Sequence, residues 1–249
     1  MIKIVDLHKS FGADEVLRGV NLTIRNGEIT VILGRSGAGK SVLLKHIIGL
    51  TRPDGGKILV DGDEITAMKD KDLNRIRANF GMLFQDGALF DSLSVQENIA
   101  FPLVEREQLP EGEIKQRVAR WMKQVGLTDM GDKMPSELSG GMKKRAALAR
   151  ALVTNPQIVL FDEPTSGLDP ITENSITDLI LQTHRTGKIT YVIISHNIRF
   201  SLAVADKIAL LHNGKIYAEG TPAEFQASRD PLIVGYVAGS LKDASHGHD

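Results

Sequence analysis

The sequence predicts an α/β fold, a parallel sheet covered by helices, and three observations predict it. Beyond residue 155, short apolar strands alternate with longer helical patterns, as βαβ units require. Earlier, the apolar run Ile29-Thr30-Val31-Ile32-Leu33 passes through the glycine-rich turn Gly34-Arg35-Ser36-Gly37-Ala38-Gly39-Lys40-Ser41 into a helical pattern. The first sixty residues otherwise read as strands and turns, and a helical stretch is inserted between the two regions.

Each element follows from its local pattern. Residues 2–7 alternate as a strand, 16–24 form another, and Asn26-Gly27 reads as a hairpin-type turn into the strand at 29–33. Val42, Leu43, Leu44, Ile47 and Ile48 recur at helical spacing. Lys57-Ile58-Leu59-Val60 is a short strand before Asp61-Gly62. From Asp70 to Gly126 the pattern is mostly helical, broken by an apolar strand at 80–84. Helices are predicted at about 94–101, 111–125 and 140–153, the last with Ser139 as N-cap. Strands at 158–161 and 190–194 alternate with helices at 170–186 and 197–204. Two further strands, 207–211 and 215–218, flank the turn His212-Asn213-Gly214. Residues 245–249 are a short polar tail whose His246 and His248 are expected to be disordered rather than to form a metal site.

Composition narrows the function classes. The chain has 249 residues, 42% hydrophobic and 24% charged, which is ample for a packed core. A net charge of −1 gives no global basic field for nucleic acid or an anionic membrane. The absence of cysteine removes disulfide and thiolate chemistry. No apolar run approaches the roughly 20 residues of a membrane helix, and residues 1–7 lack a signal peptide's plan. The expectation is a soluble protein that reaches any membrane through a partner.

The glycine-rich turn fits the pattern G-x-x-x-x-G-K-[ST] between a strand and a helix. Its glycines allow backbone N–H groups to wrap phosphate oxygens, at the positive end of a helix dipole. Lys40 supplies a point charge toward the β- and γ-phosphates, and the Ser41 hydroxyl a Mg²⁺ ligand. A ligand-free glycine turn is the bland alternative. A second apolar strand ends in Phe161-Asp162-Glu163-Pro164. Beside a phosphate loop, Asp162 can hold Mg²⁺, directly or through water, while Glu163 can orient or deprotonate an attacking water. Without the loop, a solvated strand end would serve equally well as the reading. Leu138-Ser139-Gly140-Gly141-Met142 then offers a second phosphate-binding helix start. Two such sites in one chain suit one nucleotide only if the second serves another subunit.

With Gln85 after a strand, Ser166-Gly167-Leu168-Asp169 and Ser195-His196 in the same order, the chain resembles ABC-type ATPases over residues 1–227. These are the nucleotide-binding subunits of membrane transporters. The resemblance implies an α/β phosphate-loop NTPase core with a mixed/parallel sheet, an N-terminal antiparallel β subdomain and an inserted helical subdomain at about 86–155. Residues 228–249 become a C-terminal extension. ATP and Mg²⁺ would be the ligands, shared by a homodimer. By resemblance Phe11 would stack on adenine and Val16 brace it, a packed core Phe being the alternative for Phe11. Residues Gly34, Arg35, Ser36, Gly37, Ala38, Gly39, Lys40, Ser41 and Val42 would surround the phosphates. Gln85 would touch Mg²⁺ and the attacking water, Glu163 would be the general base, and His196 would hold the γ-phosphate. Asp169 would contact the partner subunit, and Ser139, Gly140 and Gly141 would close over the nucleotide of the opposite subunit. Two positions depart from the pattern: Met142 stands where Gln is usual, and Val42 where Thr often offers a hydroxyl. Nucleotide binding should survive both through backbone N–H groups, with altered affinity.

Segments 83–98 and 135–148, and in particular Gly87-Ala88-Leu89-Phe90 and Met142, resemble the ATPases of MCE-associated (Mla-type) phospholipid transporters. That branch implies an integral membrane permease, an MCE-domain periplasmic protein and a STAS-domain subunit as partners, with no nucleic acid and no direct membrane insertion. It places the chain in the cytoplasm at the inner face of the inner membrane, held there by the permease. An importer ATPase for a small polar solute is the second reading, and a soluble ABC protein acting on DNA or ribosomes the third. The single motif set and missing basic patch disfavour the third, with Lys143-Lys144-Arg145 read as a solvated helix face. Phe90 and Leu93 are candidates to receive a permease helix, the alternative being that both pack in the subdomain core.

Overall fold

The computed structural model describes residues 1–106 and 109–238; the tail with His246 and His248 lies outside the described residues. Two sheets carry the chain. The first is four-stranded and antiparallel, in the order β2-β1-β4-β5, from β1 (Ile2–Phe11), β2 (Asp14–Ile24), β4 (Gly55–Val60) and β5 (Asp63–Glu64). β1 runs past the apolar alternation that ends at Leu7. A carboxylate holds its polar end: Asp54 accepts from Lys9 Nζ at 2.8 Å and from the Ser10 N–H at 2.6 Å.

The second sheet is six-stranded, ordered β10-β9-β3-β8-β7-β6. β3 (Ile29–Leu33) lies parallel between β8 (Thr190–Ser195) and β9 (Lys207–His212), and β7 (Ile158–Asp162) lies between β8 and β6 (Phe80–Leu83). β10 (Lys215–Gly220) closes one edge antiparallel to β9. The turn at Asn26-Gly27 is therefore no hairpin: β2 and β3 belong to different sheets, and it carries the chain from one to the other. A dipeptide with left-handed propensity marks a reversal but cannot say which strand receives it.

The period of two sets the packing. Val31, Ile193 and Phe161, in register, enter one core cluster; Ile32 and Ile194, with Leu160 and Val192, enter the other, which includes the inner face of the antiparallel sheet. Both faces are buried, as the continuous apolar runs require. α1 (Lys40–Ile47) and α2 (Asp70–Arg77) cover the second cluster. α3 (Val95–Arg106), α4 (Glu111–Gln124) and α5 (Gly140–Leu152) share the first cluster with the sheet, so the described residues of the helical insertion pack into a core continuous with it. α3 continues beyond the predicted end at 101, through Pro102. Val95, Ile99 and Leu103 are fully buried there. Each is worth roughly 1.5–3 kcal/mol, which outweighs the roughly 3 kcal/mol of an interior proline.

α6 (Pro170–Gly187) and α7 (Ile198–Val204) follow at the expected places or just after them, and a further short helix absent from the predicted elements, α8 (Pro222–Ala227), follows β10. The extension then forms α9 (Pro231–Val237), which composition alone did not suggest. Asp230 caps it, accepting from the Leu232 and Ile233 N–H groups at 2.9 and 3.2 Å, with proline at the first turn. That Asp-Pro start is a readable signal. Ile233 and Tyr236 pack on Leu33, Ile208 and Leu210.

Candidate nucleotide-binding site

The parallel order brings four loops to one edge. The phosphate loop leaves β3, Gln85 follows β6, Asp162 and Glu163 end β7, and His196 follows β8. In an open α/β sheet, ligands bind outside these carboxyl ends. A cleft of about 720 Å³ lies there, lined among others by Gly37, Lys40, Ser41, Gln85, Glu163 and His196. A second lobe of about 570 Å³ shares Val16, Arg35, Ser36, Gly37 and Tyr236 with it and adds Ala38.

Two glycines are dictated by space. A Cβ on Gly34 would stand 2.7 Å from the Leu211 carbonyl oxygen, and Gly39, at φ +95°, would bring one to 2.9 Å from Val16 Cγ1. No side chain caps α1 at Gly39, which leaves its first N–H groups to face the loop's concavity. Lys40 is buried; its Nζ donates to the Gly34 and Arg35 carbonyls at 2.8 and 3.0 Å and lies 3.4 Å from Glu163 Oε1. The Ser41 hydroxyl donates to Asp162 Oδ1 at 3.3 Å. Burial pushes the Asp162 carboxyl above the usual range; the Ser41 hydrogen bond opposes this, and the neighbouring Glu163 charge adds to it. A hydroxyl, a carboxylate and the Gln85 amide are hard oxygen donors, and with phosphate oxygens they suit Mg²⁺. The residues therefore fit a Mg-nucleotide: the loop and Lys40 for phosphates, Ser41, Asp162 and Gln85 for the metal.

Glu163 sits at φ +48°, unusual for a non-glycine residue. Its N–H donates to the Ile194 carbonyl at 3.1 Å, and its Oε2 accepts from the His196 N–H at 3.2 Å and lies 2.9 Å from His196 Nδ1. The carboxylate is thus spanned between a lysine and a histidine at the cleft wall.

The second helix start forms as expected. Ser139 caps α5, its Oγ accepting from the Met142 N–H at 3.3 Å. Ser139, Gly140 and Gly141 line neither lobe of the cleft. Gly141 packs instead against the start of α6, where a Cβ on it would meet Thr172 Cγ2 at 2.5 Å, and one on Gly140 would meet Leu168 Cδ2 at 3.7 Å. Asp169 is next to them and caps α6: Oδ1 accepts from the Ile171 and Thr172 N–H groups, and Oδ2 from the Thr172 hydroxyl at 2.6 Å. Met142 rests against the core, where a thioether fits better than an amide.

Several expectations need adjustment. Phe11 is 52% exposed at the end of β1, with the Lys9 ammonium 5.4 Å from its ring centre. It is no packed core residue, and it lines neither lobe, whereas Val16 lines both. Lys143-Lys144-Arg145 is not a solvated face. Lys144 is buried, and Arg145 donates to the Val125 carbonyl at 2.6 Å and to Ser175. One helix turn puts each residue of such a run in a different environment, which composition cannot reveal. Phe90 is 42% exposed, its ring tilted against Phe101 with centroids 4.6 Å apart, so the core reading fails for it; Leu93 is half-buried. Asn98, fully buried, holds their loop by accepting from the Phe90 N–H and donating to the Phe90, Leu93 and Ser94 carbonyls. A lone asparagine on an apolar helix face was the available signal for that role.

A strand-loop-helix phosphate cradle, an acidic strand end and a second capped helix start together define a nucleotide-binding cassette. The family model described as ABC transporter matches residues 17–166, and the chain belongs to that family. It is 43% identical over 238 residues to "Probable ribonucleotide transport ATP-binding protein mkl" of Mycobacterium tuberculosis, covering 96% of this chain. The chain spans 66% of that relative's length. It is 40% identical to "Intermembrane phospholipid transport system ATP-binding protein MlaF" of Haemophilus influenzae, covering 96% of this chain and 90% of the relative. The solved dimer of the ATP-binding cassette MJ0796 in a post-hydrolysis state, bound to ADP and Pi, superposes with a TM-score of 0.81 at 32% identity. That likeness covers 89% of this chain and 99% of the solved one.

Proposed function

We propose that this chain is the ATP-hydrolysing subunit of an ABC transporter, two copies closing around two ATP molecules to drive phospholipid movement between bacterial envelope membranes. The observation that carries the chemistry is Glu163, a carboxylate fixed between Lys40 and His196 on the wall of the phosphate-loop cleft. There it takes the proton of the attacking water as the γ-phosphoryl group departs. Lys40 and the loop N–H groups stabilise the phosphate charge, and His196 orients the γ-phosphate. Mg²⁺, when bound through Ser41, Asp162 and Gln85, neutralises charge on the phosphate oxygens. Ser139 and Gly140, exposed at a helix start away from their own cleft, with Gly141 buried behind them, are suited to cover the nucleotide of the second copy, with Asp169 nearby. The solved cassette dimer supports that arrangement.

Phospholipid as the cargo is supported by the Gly87-to-Phe90 loop, by Met142 and by the similarity to an intermembrane phospholipid transport ATPase over 90% of that relative's length. Among the described residues no helix is long and apolar enough to cross a membrane. Force therefore passes to a permease at the inner membrane, accompanied by an MCE-domain protein and a STAS-domain subunit. A ribonucleotide or another polar solute is the competing cargo, on the strength of the mycobacterial relatives. The deciding experiment isolates the tagged chain from membranes with its co-purifying proteins and reconstitutes them in vesicles. ATP-driven transfer of labelled phospholipid is expected; ATP-driven uptake of labelled ribonucleotide without lipid transfer would reassign the cargo.

Phe90, exposed on a loop pinned by Asn98 and by Arg150, whose guanidinium donates to the Gly87 and Ala88 carbonyls at 2.7 Å each, is the proposed permease contact. Phe90→Asp is expected to leave nucleotide binding intact and to weaken permease assembly by roughly 30-fold or more, the scale of losing an aromatic anchor. Co-purification and binding titration read the two effects separately. Unchanged assembly and transport would place the coupling surface elsewhere.

A further inference from the structure

Lys144 is 5% exposed, and a lysine is almost never so buried without a partner. It lies on α5 one turn past Gly140 and Gly141, and its Nζ donates to the backbone carbonyl of Glu163 at 3.3 Å. Three carboxylates, Asp86, Asp162 and Glu163, act on its charge. Asp86 follows Gln85, so the ammonium stands among the loop after β6, the end of β7 and the helix that begins with Ser139-Gly140-Gly141. Lys40 and His196 address the Glu163 carboxylate; Lys144 addresses its peptide. That peptide is in the left-handed region, which costs a non-glycine residue roughly 1–2 kcal/mol and persists only where neighbours hold it. The Ser166 N–H also donates to the same carbonyl, at 3.2 Å, closing the loop after β7.

We propose that Lys144 is a positioning residue for hydrolysis, fixing the Glu163 peptide and so tying the general base to the helix whose start serves the opposite nucleotide. The inference rests on Glu163 acting as the base. Its consequence is mechanical. Engagement of Ser139, Gly140 and Gly141 on one nucleotide shifts α5, and Lys144 passes that shift to the base that acts on the other.

The test uses the full chain isolated with its co-purifying membrane components, as wild type, Lys144→Met, Lys144→Arg, Glu163→Gln and the Lys144→Met/Glu163→Gln pair. Methionine keeps the stem volume without the donor, and arginine keeps donors for the carbonyl. Turnover per nucleotide-binding site, KM for ATP and equilibrium affinity for a fluorescent ATP analogue are measured. Lys144→Met is expected to lower kcat about 10²-fold, the scale of a misplaced catalytic group, with KM and analogue affinity unchanged. Lys144→Arg should recover most of the rate. In the Glu163→Gln background Lys144→Met should cost nothing further, because the group it positions is already gone. Wild-type kcat in Lys144→Met, a parallel loss of analogue affinity, or a full additional loss in the double variant would overturn the proposal. Should Lys144→Met not fold, Lys144→Gln, too short to reach the carbonyl, carries the same expectation and the same refutation. A wild-type preparation that binds but does not hydrolyse ATP would overturn the underlying ATPase reading and this proposal with it. A hydrolysing wild type matched by Lys144→Met or Lys144→Gln overturns this proposal alone.

Discussion

Lys40→Ala is expected to abolish useful ATP binding. The ammonium is held inside the phosphate loop by the Gly34 and Arg35 carbonyls and faces Glu163 at 3.4 Å, so it is already placed to turn toward phosphate oxygens. Charge-assisted hydrogen bonds are worth about 1.5–3 kcal/mol each. Losing two of them lowers affinity by roughly two orders of magnitude or more. The loss also leaves the Glu163 carboxylate beside the γ-phosphate without its cation, which adds repulsion to the missing attraction. A fluorescent ATP analogue titrated against wild type and variant reads the effect, and thermal unfolding of both checks that the variant is folded. Ordinary affinity in a folded Lys40→Ala chain would remove the phosphate-loop assignment.

Glu163→Gln should separate binding from chemistry. The amide retains the shape of the side chain, and its oxygen can still accept from the His196 N–H that Oε2 meets at 3.2 Å in the native chain. It cannot take a proton from water. Loss of a general base costs about 10²–10⁴-fold in rate. The expected result is normal Mg-ATP affinity, hydrolysis reduced by that factor, and a dimer that persists in ATP because the bound nucleotide is not consumed. Steady-state phosphate release and light scattering with ATP measure the two consequences. Near-normal turnover would move the base to another group, His196 being the nearest candidate at 2.9 Å.

The parts of this site that could be read from the sequence are those where local order and chemistry coincide. A strand, a glycine turn and a helix start are consecutive in the chain, so Gly34 to Ser41 declare themselves, as does Ser139 capping α5. The alternation after residue 155 gave the parallel sheet, and that sheet alone accounts for Asp162, Glu163 and His196 meeting the phosphate loop. What stayed hidden depends on contacts between distant segments. Lys144 looks like one more surface charge until α5 packs against β6 and the end of β7, because a helix turn decides which member of a charged run is buried. α9 reaches the cleft through Tyr236, yet its cap signal at Asp230-Pro231 stands in a short segment whose apolar face matters only once Leu33 and Leu210 are there to receive it. Asn26-Gly27 marks a reversal whose outcome depends on which sheet the next strand joins. Phe11, predicted to stack on adenine, lines neither lobe of the cleft, whereas Val16 lines both.

The central claim is that each nucleotide is hydrolysed between two copies of this chain, Lys40 and Glu163 from one and Ser139 from the other. Mixing Lys40→Ala subunits with Ser139→Arg subunits tests it directly. In either variant alone, every composite site carries one defect. In the mixed dimer one site collects both defects and the other has none. ATP hydrolysis absent from each variant alone and partly restored in the mixture is the result predicted here. A Ser139→Arg preparation that hydrolyses ATP at the wild-type rate by itself would contradict the shared site.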